Sequence, residues 1–304
     1  MDASVPDFQC SVPGKVFLLG EYLVLYQGPA ILAAVSPRFE FQLGTTGIPL
    51  KSLFHPNSPA GLFLKNQTKL HDRCVEFRDP YDGHGGFGSS TAEFLFALSV
   101  VESSSLSWQR ALSHYLELFD EENRPSGADL ITQLTGGIVH YQPELRTVDS
   151  LAEAFDWNGL MVFSAAHQRG RKVKTHDHLK QLSLSSSLTH SLKVVVESAK
   201  QAIDSMDAPG LGKAFDQYAQ LLNSEGLECQ ATLEDRMALR ELDGVLGVKG
   251  SGALQSDVIL VLTSVYGAKG LDRKRKILEV AEQRGLKLIT EGLKPEKGLE
   301  KKSL

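Results

Sequence analysis

The sequence predicts a two-domain α/β protein, and three observations carry that expectation. At roughly 100–200 residues per domain, a chain of 304 residues makes two domains or one large one. Short apolar runs of strand character alternate with longer helical stretches along its length. A new buried strand, Leu160–Phe163, opens just after Asn158, which sets the expected domains at 1–157 and 158–304.

Taken in order, Val16–Leu25 is rich in Val, Leu, Phe and Tyr and reads as buried strand on either side of Gly20. Ala30–Val35 follows a Gly28–Pro29 turn, and Phe39–Leu43 alternates as a half-buried strand does. Thr45–Arg73 is polar and turn-rich, so hairpins and loops are expected there. The cluster Gly83-His84-Gly85-Gly86-Phe87-Gly88 leads through Ser89-Ser90-Thr91 into the apolar helix Ala92–Val101, with Ser89 or Ser90 as its N-cap. Trp108–Phe119 reads as an amphipathic helix that ends in the acidic, turn-prone Asp120–Pro125. Leu130–Leu134 begins another helix, Gly136-Gly137 breaks it, and Ile138–Tyr141 is a strand. In the second half, two or three helices fill Leu192–Asn223, and the glycine-punctuated Gly244–Gly252 precedes the apolar strand Val258–Thr263. A charged helix, Leu271–Arg284, and a short strand, Leu286–Ile289, follow, and the lysine-rich tail from Lys294 is expected to fray.

Charge and cysteine usage exclude several classes of function. A net charge of −5 and a pI near 6.0 argue against nucleic acid as a partner, because binding a phosphate backbone needs a basic surface. The three cysteines, Cys10, Cys74 and Cys229, are scattered, odd in number and form no CxxC pair, so neither a disulfide framework nor a zinc site is implied. No cationic start precedes an apolar run at the N-terminus, and Ala30–Val35 and Val258–Leu262 fall far short of the roughly 20 residues that span a bilayer. A cytoplasmic protein without a membrane partner is expected.

Four segments carry chemistry. Gly86-Phe87-Gly88-Ser89-Ser90 lets backbone N–H groups approach phosphate oxygens at a helix N-terminus, and its hydroxyls are suited to Mg²⁺; alone it is most often a capped turn. It is neither a Walker A sequence nor a dinucleotide fingerprint. Pro13-Gly14-Lys15 enters a strand, with Gly20-Glu21-Tyr22 just after, and a lysine at a strand edge is usually a solvated surface group. Pro125-Ser126-Gly127-Ala128-Asp129 places an aspartate where a helix cap is the simpler reading. Lys249-Gly250-Ser251-Gly252-Ala253 before an apolar strand is, by itself, a tight turn. Beside these, Arg169, Arg171, Lys172 and Lys174 put four cations within six residues, either a grip for a phosphate or carboxylate or a solvated loop. His176 and His178, with no third ligand nearby, do not make a metal site.

In this order, from Pro13 to Asp257, the four segments together resemble the GHMP kinases, the superfamily of galactokinase, homoserine kinase, mevalonate kinase and phosphomevalonate kinase. Pro13–Tyr22 is similar to the first family motif, Gly86–Ser90 to the phosphate loop, and Lys249–Asp257 to the third motif. The mevalonate branch matches best: Tyr22 and Asp257 are similar to phosphomevalonate kinases, while the Ser126–Asp129 segment with Gly136-Gly137 is similar to both mevalonate and phosphomevalonate kinases. The departures are Asp82, where a proline usually precedes the phosphate loop, and Leu254, Gln255 and Ser256, which replace a run of glycines in the third motif.

The resemblance implies a ribosomal-S5-like N-terminal domain and a ferredoxin-like C-terminal domain. It implies ATP and Mg²⁺ as cofactors, Gly86, Gly88, Ser89 and Ser90 on the phosphates, and Ser89 or Ser90 near the metal. The acidic metal partner falls by spacing at or beside Glu117, although the count lands on Leu118, and Glu121 and Glu122 are rivals. Asp129 and Lys15 become the catalytic pair, the first accepting or orienting the proton of the acceptor and the second holding it ionised. Glu21, Tyr22, Ser126, Gly127, Arg169, Arg171, Lys174, Thr175, Ser251 and Gly252 become the acceptor side of the site. The implied function is phosphorylation of phosphomevalonate or mevalonate by a monomer or homodimer. The alternatives are a catalytically silent nucleotide-binding regulator, or a kinase for another small alcohol such as homoserine or a sugar.

Overall fold

The computed structural model describes residues 7–65, 67, 73–102, 106–151, 154–165, 183–264, 270–294 and 296–304. The cationic segment with Arg169, Arg171, Lys172 and Lys174, together with Thr175, His176 and His178, lies outside the described residues. The chain builds two sheets. Among the described residues the first is seven-stranded, in the order β11 (Glu300–Ser303), β1 (Phe8–Leu19), β2 (Ala30–Gly44), β4 (Cys74–Arg78), β3 (Ile48–Pro49), with β5 (Ile138–Gln142) also pairing with β2 and β6 (Thr147–Ser150) pairing with β5. Its centre is the long antiparallel pair β1 (Phe8–Leu19) and β2 (Ala30–Gly44), in which Lys15 stands opposite Ala34.

β1 ends sooner than its apolar composition predicts. Gly20 adopts φ +98°, and a Cβ there would lie 2.4 Å from the Ala30 Cα, so the backbone turns where only glycine fits. Leu23–Tyr26 becomes a 3₁₀ turn instead of more strand. The two apolar runs after it are in fact one strand, β2. Within the segment expected to hold hairpins and loops, β3 (Ile48–Pro49) is followed by two short helices, α1 (Leu50–Leu53) and α2 (Pro59–Leu64). Ser58 caps α2 by accepting from Gly61 N–H at 3.2 Å, the signal that marks it.

β4 (Cys74–Arg78) precedes α3 (Ser89–Val101), whose residues from Thr91 to Val100 are almost all buried against the first sheet. α4 (Trp108–Leu116), α5 (Ala128–Thr135), β5 (Ile138–Gln142) and β6 (Thr147–Ser150) complete this half. The C-terminal tail does not fray. β11 (Glu300–Ser303) pairs with β1, Phe8 opposite Ser303 and Ser11 opposite Glu300. Arg38 fastens the approach to it, donating to the Lys297 and Gly298 carbonyls at 2.7 and 2.8 Å and to Glu296 at 3.3 Å. Charge alone suggested solvation, but satisfied carbonyls decide otherwise.

The second sheet is antiparallel, in the order β10 (Lys287–Glu291), β7 (Leu160–Ser164), β9 (Val258–Thr263), β8 (Val245–Ser251). Among the described residues, three helices, α6 (Ser186–Asp204), α7 (Ala208–Ser224) and α8 (Gln230–Arg240), lie between its first two strands, and α9 (Gly270–Gln283) between its last two. Fourth-first-third-second is the ferredoxin-like arrangement. β7 alternates across the sheet: Met161 and Phe163 join Ile259, Val261, Ile277 and Ala281 on one face, while Leu160 and Val162 join the large core that also holds Val196 and Phe215. Among the described residues no helix is long and apolar enough to cross a membrane.

One buried base has a consequence for stability. His140 on β5 is fully buried, its Nδ1 3.6 Å from Asp149 and its Nε2 3.9 Å from Glu197, with Lys200 also nearby. Burial holds its imidazole below the ordinary histidine value of 6.5, against the pull of Glu197 and Asp149. The unfolded chain therefore binds the proton first, and stability falls as pH drops through about 6.5. Urea midpoints at pH 7.5 and 5.5 should fall more for the parent than for His140→Gln; parallel losses would remove His140 from the account.

Candidate active site

Lys15 stands where β1 passes the glycine loop. Its backbone N–H donates to Phe87 O at 3.0 Å, and Phe87 stacks on Tyr81 with ring centroids 4.2 Å apart, so loop and strand form one surface. The Lys15 Nζ lies 3.0 Å from Asp129 Oδ1 and 4.9 Å from the Phe17 ring centre. Asp129 sits in the first turn of α5, where the helix dipole favours a carboxylate. Gly127 is the N-cap residue with φ 75°, and Ser126 Oγ accepts from Ala128 N–H at 3.3 Å. These two residues thus shape the turn that presents Asp129.

Gln133 locks the arrangement. Its Nε2 donates to Pro13 O at 2.8 Å and to Gly88 O at 3.1 Å, and its Oε1 accepts from Thr91 Oγ1. One buried amide therefore joins the strand of Lys15, the glycine loop and the helix of Asp129. The sequence offered no signal for it beyond a polar residue on the apolar face of α5.

The loop itself is held open by Asp79, whose carboxylate accepts from Tyr81 N–H and Gly83 N–H at 2.9 Å each. Gly86 and Gly88 have φ of 89° and 85°. Gly88, not Ser89 or Ser90, is the N-cap residue of α3, and no side chain caps it, which leaves the first-turn N–H groups without a side-chain partner. A Cβ on Gly88 would come 2.9 Å from Gln133 Nε2 and 3.0 Å from Lys15 Cγ. Gly88→Ala should therefore lower nucleotide affinity with the fold retained, as read by calorimetry and a thermal melt; parent-like affinity would move the phosphates elsewhere.

Ser89 Oγ lies 3.4 Å from Glu93 Oε1, one helical turn on, and burial pushes the Glu93 carboxyl up, with Asp79 adding to the rise and Ser89 opposing it. Ser90 is exposed. Glu117 ends α4, exposed, and its carboxylate accepts from Ser113 at 3.0 Å and faces His114 at 3.8 Å. Glu121 and Glu122 lie in an exposed 3₁₀ turn. The carboxylate that touches Ser89 is thus Glu93, not Glu117, Glu121 or Glu122.

The third motif is closed. After Ser251, the residues Ala253–Gln255 form a 3₁₀ turn with Leu254 and Gln255 at φ 49° and 52°. Gln255 Oε1 accepts from Gly250 N–H at 3.0 Å, and Thr232 donates to Gln255 O at 3.0 Å. The first motif is tied to it: Tyr22 Oη accepts from Leu254 N–H at 2.5 Å, and Lys249 Nζ lies 2.6 Å from Glu21 Oε1. Tyr218 adds a hydrogen bond to Glu21 O at 2.8 Å. Burial pushes the Glu21 carboxyl up and the Lys249 ammonium down, each opposing the other's shift. Glu21 and Tyr22, expected on the acceptor, are engaged in this joint between motifs. Ser251 is buried within it, and Gly252 faces Asp257, whose carboxyl burial pushes up against the pull of Lys15.

No family model matches the chain. The mevalonate kinase of Aeropyrum pernix is 24% identical over 278 residues, covering 81% of this chain and 85% of that protein. The crystal structure of Methanococcus jannaschii mevalonate kinase superposes with a TM-score of 0.71 at 13% identity, over 97% of this chain and 98% of the other. Streptococcus pneumoniae phosphomevalonate kinase gives 0.70 at 14% identity, over 97% and 99%. The solved structures show a shared fold.

Proposed function

We propose, starting from the GHMP-kinase fold that this chain carries and its likeness to the mevalonate branch, that it transfers the γ-phosphoryl group of ATP to mevalonate or phosphomevalonate. The single observation that carries this reading is the Lys15–Asp129 pair at 3.0 Å, held against the glycine loop by Gln133. Phosphoryl transfer asks for position and charge neutralisation more than for covalent chemistry, and the site offers both.

The uncapped first turn of α3 and the positive-φ glycines fit a triphosphate, and the hydroxyl of Ser89 beside Glu93, with the exposed Ser90 next in the chain, fits a hard cation. Bound Mg²⁺ would neutralise phosphate charge. Asp129 accepts or orients the proton of an attacking hydroxyl, and Lys15, 3.0 Å from it, faces the charge that develops. An acceptor that is already a phosphate monoester needs little general base, and Asp129 then chiefly positions Lys15 and the acceptor.

A second reading, a silent nucleotide-binding relative, draws on one observation: the third motif is a packed turn where related kinases carry glycines. Coupled ADP release with MgATP across mevalonate, phosphomevalonate, homoserine and galactose separates the two. Turnover with either of the first two is the expected result. Turnover only with homoserine or galactose would overturn the acceptor class, and nucleotide binding without turnover on any of them would favour the silent relative.

A further inference from the structure

The cations described around the site each have a carboxylate of their own: Lys15 with Asp129 at 3.0 Å, Lys249 with Glu21 at 2.6 Å and Lys287 with Asp82 at 3.2 Å. Asp257 has no cation of its own; Glu93 and Asp79 have none either, but the first meets Ser89 and the second accepts from Tyr81 and Gly83 N–H. Among the described residues no donor hydrogen-bonds the Asp257 side chain, and its only favourable charge is the Lys15 ammonium, which is already paired. Its backbone is fixed, donating to Ser251 O at 3.2 Å and accepting from Ala165 N–H at 2.9 Å, so the side chain has no capping or turn-forming duty in that frame.

Position gives the surplus charge a meaning. A Cβ on Gly252 would lie 2.3 Å from Asp257 Oδ2, and one on Gly85 would lie 3.1 Å from Oδ1. The Asp257 Cβ would be 2.9 Å from a Cβ on Gly86. The carboxylate is therefore wedged between the glycine loop and the third motif, against the backbone that the phosphates are to approach. A triphosphate brought there without a cation meets like charge at contact range, where screening by water is weakest.

We infer that Asp257 makes nucleotide binding conditional on a divalent cation, repelling free ATP and being accommodated when a cation lies between carboxylate and phosphates. This rests on the proposed function above and assigns a role to a residue that the transfer step itself does not use. A carboxylate that merely fills space would affect ATP and MgATP alike; one that acts through charge moves them in opposite directions.

The test is the ratio of ATP dissociation constants in EDTA and in excess MgCl₂, measured by calorimetry on the full chain. Asp257→Asn, with the same shape, should tighten metal-free ATP, weaken MgATP and shrink the ratio by about tenfold, the scale of one unit charge at contact distance in a partly screened site. Asp257→Glu should keep the parent ratio. Asp257→Ser gives the same readout if the Asn variant fails to fold, and thermal melts decide which variant is used. An unchanged ratio in the neutral variants overturns the inference while leaving the kinase reading intact. A parent chain that binds ATP in neither condition overturns both.

Discussion

Asp129→Asn is expected to lower kcat by about 10²–10⁴-fold with an alcohol acceptor, the usual range for loss of a general base, while the thermal melt barely moves. The amide keeps the shape of the carboxylate and the first-turn position on α5, but it cannot take a proton and offers no negative charge to Lys15 Nζ, 3.0 Å away. Lys15→Met should fall by a similar factor, since it removes the ammonium that pairs with Asp129 and faces the charge that develops in transfer. The double variant should lose much less than the product of the two, because the residues act as a unit. With phosphomevalonate the Asp129→Asn loss should be smaller, as the nucleophile is already anionic. Asp129→Asn turning over like the parent on every acceptor would take Asp129 out of the mechanism.

The largest expected effect on stability is at the joint between the first and third motifs. Lys249→Met should cost about 3–5 kcal/mol, because it strands the Glu21 carboxylate in a site that is essentially dry. Among the described residues the Glu21 Oε2 has no hydrogen-bond partner, so the main compensation is the ammonium 2.6 Å from Oε1, with the Glu21 backbone and Lys15 adding less. Pairing the substitution with Glu21→Gln should restore part of the loss, since a buried amide costs less than a buried charge. Urea titrations of the parent, both single variants and the double variant give the coupling directly. Lys249→Met as stable as the parent would mean that Glu21 is already neutral in the folded chain.

Most of the architecture was legible because its signals are local. Apolar runs marked β7, β9 and the two halves of β2, and the glycine cluster before Ser89 marked the N-cap of α3 to within two residues. The misreadings share a cause, which is that a distant segment decides a local outcome. Gly20 turns because Ala30 lies 2.4 Å from where its Cβ would be, and the tail orders because Arg38 reaches its carbonyls. The site divides the same way. Lys15, Asp129 and the loop glycines were found by motif, and the structure brings Lys15 and Asp129 into contact beside the loop. Gln133, Glu93 and the Glu21–Lys249 contact were not found, because each depends on which side chains meet across 4 to 228 positions of chain.

Phosphorus NMR of the chain with MgATP and a mevalonate-series acceptor tests the central claim most directly. The account predicts that the γ-phosphate resonance is replaced by ADP and a phosphorylated acceptor in equal amounts, with Asp129→Asn slowing both together. Formation of inorganic phosphate without acceptor product, or no consumption of ATP by a chain that binds it, would contradict the account.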